Sequence, residues 1–81
     1  MPTVARFGPY RLFFYSADRR EPPHVHVARD RSCAKFWIGP VRLASSGGFS
    51  RLEIFRIEKV VGDNAEVLLS KWNEFFEDDN S

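Results

Sequence analysis

Pro22-Pro23-His24-Val25-His26-Val27 decides how the rest of the chain is read. Each proline fixes φ near an extended value and removes a backbone donor, so the pair stiffens the entry to His24. Polar and apolar residues then alternate with period two, the pattern of a half-buried strand. Side chains two apart on a strand share a face. His24 and His26 therefore point one way, and Val25 and Val27 the other. Two imidazoles side by side make that face a candidate working surface.

Downstream, Asp30-Arg31 turns the chain into a strand over residues 32–38, and Gly39-Pro40 turns it again into a strand over 41–44. Counting through these turns puts Val25, Val27, Ala34, Phe36, Ile38, Val41 and Leu43 on one face. His24, His26, Cys33, Lys35, Trp37 and Arg42 fall on the other. The register sets His26 opposite Lys35 and His24 opposite Trp37, within cross-strand reach. A slip of one residue at either turn would invert everything after it, and the clean separation of apolar from polar argues against a slip.

Upstream, residues 3–7 and 10–16 read as a hairpin around Gly8-Pro9. Glycine in the first loop place suits a type II′ turn, with Gly39-Pro40 repeating it. Phe7 then faces Tyr10, Arg6 faces Arg11 and Ala5 faces Leu12. Ala5, Phe7, Tyr10, Leu12 and Phe14 share one side; Val4, Arg6, Arg11, Phe13 and Tyr15 share the other. Residues 17–23 form a polar loop, expected to be the most mobile connection of the sheet.

Ser45-Ser46-Gly47-Gly48 reads as a flexible break before the helices. Ser50-Arg51-Leu52-Glu53 matches a capping box, and the helix it opens is expected to stop at Gly62 in a left-handed conformation. Asp63-Asn64 offers a second cap. Ala65, Leu68, Leu69, Trp72, Phe75 and Phe76 then recur at helical spacing as one apolar stripe. The acidic tail 77–81 should fray. The expectation is a single α+β domain over 1–81: an antiparallel sheet of four to five strands (1–45), then two helices (50–77) packed on the valine face.

With 81 residues, a core this small leans on its eight Phe and two Trp. One cysteine, Cys33, forms no internal disulfide and reads as a buried or half-buried thiol. No secretory signal and no membrane-length apolar run is apparent, so a cytoplasmic protein without membrane contact is expected. The near-neutral net charge of +1 hides a division: residues 1–51 carry nine Lys or Arg against three acids, and residues 52–81 carry three against eight. The halves either attract each other within the fold, or the first half meets an anionic partner.

The opening Met-Pro-Thr-Val-x-Arg-Phe-Gly, the Phe13-Phe14-Tyr15-Ser16 run, the proline–histidine block and the late Trp72-Asn73 together resemble the short prokaryotic proteins of domain-of-unknown-function family 4160. The resemblance implies a small β-rich half with a helical tail. It also implies a two-gene setting of toxin–antitoxin type, with this chain as the toxin-like component and an antitoxin-like neighbour as its partner. It brings no catalytic residues.

The histidine face admits three readings. RNA contact would use Arg6, Arg11, Lys35 and Arg42 for phosphates and Tyr15 and Trp37, with Phe13, for stacking. Catalysis, if the chain is an enzyme, would be metal-independent RNA cleavage, with His24 and His26 as acid and base, Tyr15 an alternative acid, and Lys35, Arg11 or Arg42 as the charge stabiliser. A non-catalytic module would use the same face to bind its partner protein or a second copy in a homodimer. No cofactor is expected. No metal is expected either: two histidines need a third ligand, Cys33 pairs with Ala28 away from His24, and the acids lie mainly on the helices.

Overall fold

The computed structural model describes residues 3–77. Five strands, β1 (Thr3–Phe7), β2 (Tyr10–Phe13), β3 (His24–Arg29), β4 (Ser32–Ile38) and β5 (Val41–Gly47), pair antiparallel in chain order. Two helices come next, α1 (Arg51–Asp63) and α2 (Ala65–Glu77). The fold is α+β, as the sequence pattern implies. Of the tail expected to fray over 77–81, Glu77 closes α2 and the other four residues lie outside the described residues.

The register carries the predicted parity into the structure. Phe7 pairs with Tyr10, Arg6 with Arg11 and Ala5 with Leu12. His24 pairs with Trp37, Val25 with Phe36, His26 with Lys35 and Val27 with Ala34. Val25, Val27 and Phe36 are fully buried, and the core they build extends to Ile57 and Val61 of α1 and Leu68, Trp72 and Phe76 of α2. Each such side chain contributes about 1.5–3 kcal/mol through its removal from water.

Turn chemistry explains most of the connections. Gly8 has φ 59°, as the first loop residue of a type II′ turn requires. Asp30 takes φ 55°, a conformation that short polar side chains tolerate better than most. Gly39-Pro40 does not repeat the first turn, because its peptide bond is cis.

Four local expectations are corrected. Ser45, Ser46 and Gly47 do not break the chain; they pair with Lys35, Ala34 and Cys33. The ladder reaches them through a bulge, since Lys35 pairs with Ser45 while Phe36 pairs with Leu43, leaving Ala44 as the extra residue. Leu43 stays 41% exposed on this edge strand despite its assignment to the core face. Cys33 is exposed rather than buried. α1 runs through Gly62 to Asp63, where Asn64 caps it, its side-chain amide donating to the Val60 carbonyl at 2.8 Å.

The capping box at α1 is half formed. Ser50 Oγ accepts from the Glu53 amide at 3.1 Å. The Glu53 carboxylate does not return to the cap; it accepts from Arg29 Nε and a second guanidinium nitrogen at 2.7 and 2.8 Å, and from Tyr10 Oη at 2.9 Å. A bidentate pair with a charged donor outcompetes a single backbone amide. This bridge joins the basic half of the chain to the acidic half, so part of the charge asymmetry is used inside the fold.

Candidate functional site

The sheet face that bears the histidines is built from both directions along the chain. Arg6 and Arg11 pair across the first hairpin, and the Arg11 guanidinium lies 4.6 Å from the Phe13 ring centre. Phe13 pairs with His26 and stacks on it at 5.5 Å, while Tyr15 presents its edge to His26 at 4.6 Å. Lys35 Nζ sits 4.7 Å over the Trp37 ring, and Trp37 pairs with Arg42. Arg6, Tyr15 and Arg42 are exposed, and Arg11, Lys35 and Trp37 are partly so. The predicted cations and rings therefore share one face.

The loop after β2 changes the character of that face. Residues Ser16–Arg20 form a turn of 3-10 helix within the polar connection. Its Asp18 folds back onto the histidines and is buried. One oxygen, Asp18 Oδ2, accepts from the Tyr15 amide at 2.8 Å, lies 2.9 Å from His26 Nε2 and 3.1 Å from His24 Nε2. At the far end of the same turn, Glu21 pairs with Lys35. The acid–base pair thus closes the loop over the start of β3 and β4.

Burial separates the two histidines. His24 is fully buried; its ring lies 5.1 Å from Trp72 of α2 and 5.6 Å from Trp37. His26 keeps 18% of its side chain exposed. The expectation of two open imidazoles fails at His24, which no phosphate reaches in this arrangement. Lys35, expected to stabilise charge on a substrate, is already paired with Glu21.

Hydrogen bonding fixes the state of His26. Burial works against ionisation of Asp18, yet the Tyr15 amide and the two imidazoles together hold its carboxyl below the ordinary value. An ionised carboxylate only accepts, so His26 Nε2 donates to it. Burial lowers the pKa of His26 and outweighs the attraction of Asp18. A neutral ring oriented by a carboxylate, with Nδ1 as its lone-pair nitrogen, is the arrangement of a general base.

Asp18 and Glu21 are the site residues that sequence reasoning missed. The bond from the Tyr15 amide to Asp18 is local, the return half of a capping box in which the third residue of the turn accepts from the cap amide. The approach of Asp18 to His26, eight residues on, depends on how the loop folds back, and no periodicity records that.

The chain belongs to the family described as Domain of unknown function (DUF4160), whose profile matches residues 10–73. The matched span runs from the first residue of β2 almost through α2 and includes every residue of the Asp18–His24–His26 cluster. The family is itself uncharacterised. No curated protein and no solved structure matches the chain.

Proposed function

We propose that this member of the DUF4160 family binds single-stranded RNA on the sheet face opposite its helices. In the two-gene setting that the family resemblance implies, it is the toxin-like component and RNA is its target. The observation that carries the reading is the groove beside Trp37. About 230 Å³ in volume, it is lined by Pro22, Pro23, Trp37, Gly39, Pro40 and Arg42. An indole face walled by prolines offers an unpaired base a stacking surface, and the neighbouring guanidinium offers its phosphate a charge. Arg6 and Arg11, across the sheet, extend the cationic track. Cleavage would rest on His26, the histidine that keeps some exposure.

Titration of a fluorescent single-stranded RNA tests the reading. Trp37→Ala is expected to weaken binding by about 1–3 kcal/mol, the usual worth of one stacked base. An RNA duplex of the same length should bind less well, since its bases are not free to stack. Equal binding of wild type and Trp37→Ala would reject the groove as the site.

A second reading has its own observation. Leu52 and Phe55, one turn apart on α1, are 60% and 70% exposed. Exposed apolar side chains at helical spacing suit a non-catalytic module that binds its partner protein or a second copy of itself. Phe55→Ser should then abolish capture of that protein and leave RNA affinity unchanged.

A further inference from the structure

His24 Nδ1 lies 3.0 Å from the Pro22 carbonyl oxygen. A carbonyl only accepts, so Nδ1 carries the proton and Nε2 of the neutral ring is a lone pair. That lone pair lies 3.1 Å from an oxygen of Asp18 without a hydrogen bond to it. It is the one buried side-chain polar atom without a hydrogen-bond partner among the described residues. With the ring neutral, the two acceptors repel unless something positive, a second proton on the imidazole or a metal ion, lies between them.

The geometry points to a divalent transition-metal site formed by His24 Nε2, His26 Nε2 and Asp18 Oδ2. All three donor atoms lie within 4.8 Å of one another. The two nitrogen–oxygen separations are 2.9 and 3.1 Å. Bonds of about 2.0–2.1 Å in tetrahedral array hold zinc ligands roughly 3.3 Å apart, so Asp18 Oδ2 has to shift slightly outward while the two imidazole nitrogens, within 4.8 Å of each other, close inward. The surroundings already have the outer partners such a site uses. A metal-bound histidine characteristically donates its other ring nitrogen to a backbone carbonyl, as His24 does to Pro22. A ligating carboxylate is itself held by a hydrogen bond, as Asp18 is by the Tyr15 amide.

On binding, His26 moves its ring proton from Nε2 to Nδ1, and both imidazoles ligate as neutral groups. Three protein ligands leave one coordination position of a tetrahedral metal open. Two nitrogens and one carboxylate favour zinc or its first-row neighbours over magnesium, which prefers oxygen ligands and keeps its waters. The groove at Trp37 and Arg42 shares none of the three ligands, so zinc binding does not depend on RNA binding, although a ligating His26 is no longer free to act as the base in cleavage.

Chelator-treated protein titrated with zinc chloride alone, monitored by calorimetry and thermal melting, tests the proposal. One zinc per chain is expected to bind. At a free concentration a hundred times Kd, the melting temperature should rise by about 10 °C or more. Magnesium chloride should produce no rise. Asp18→Asn, which keeps the acceptor for Tyr15, and His26→Gln should each weaken zinc binding at least ~100-fold. Cys33→Ser should bind as wild type does. In the wild-type chain, imidazole nitrogen NMR should show the Nε2 resonances of both histidines moving on zinc addition while His24 Nδ1 stays protonated. Failure of folded wild-type protein to bind zinc, undiminished binding by Asp18→Asn and His26→Gln, or Nε2 resonances that do not move would each overturn the site.

Discussion

The two sides of β3 make an instructive pair. Val25 and Val27 point into the layer between sheet and helices and are fully buried. His24, on the opposite side, is just as buried, but by Trp72, Trp37, His26 and the Asp18 loop. Alternation along a strand says which way a side chain points. Whether water reaches it depends on what the rest of the chain lays over that side. The valine side is closed by helices whose apolar stripe is written in the sequence. The histidine side is closed by a short polar turn together with Trp37 and with Trp72 from α2, and one carboxylate joins the two imidazoles inside it.

The difference can be broken most forcibly on the valine side. Phe36→Ala removes a fully buried ring and should destabilise the fold by about 3–5 kcal/mol in chemical denaturation. A loss below about 1 kcal/mol would mean that the helix-covered side is not the principal core. On the histidine side, Asp18→Ala strips the acceptor from the Tyr15 amide and from His26. The expected cost in the metal-free protein is about 1–3 kcal/mol, the penalty of leaving partly buried donors unmatched.

Smaller effects sharpen the contrast at the seam between the two layers. Ser50→Ala should cost ~1 kcal/mol, because it removes the acceptor for the Glu53 amide at the start of α1. Glu53 supplies a pH signature. Hydrogen bonds from Arg29 hold its carboxyl below the ordinary value of 4.5; burial opposes them and the Tyr10 hydroxyl adds to them. The folded chain therefore binds that proton less readily than the unfolded chain. The stabilisation is complete above pH 4.5 and is lost as pH falls through the lower folded value. Glu53→Gln should accordingly be less sensitive than wild type across the acid part of a stability–pH curve.

What was legible in the sequence was whatever period and turn chemistry encode. The order of the strands, the pairing of His26 with Lys35 and of His24 with Trp37, and the stripe from Ala65 to Phe76 all come from spacing. Three things do not. The bulge at Ala44 adds one residue without an apolar or glycine signal to mark it. Glu53 fits a capping box in sequence, yet a bidentate arginine from β3 takes its carboxylate. Asp18 sits in a run of charges that reads as solvated loop, and its burial comes from long-range closure against two histidines and a paired Glu21–Lys35 bridge.

The salt dependence of RNA affinity bears most directly on the assignment of the histidine-bearing face. With contributions from Arg6, Arg11 and Arg42, a plot of log affinity against log salt for single-stranded RNA should fall with a slope of about −2, and Arg11→Ala should reduce that slope by about 0.7. A flat plot, or a slope that Arg11→Ala and Arg42→Ala both leave unchanged, would contradict RNA binding on this face.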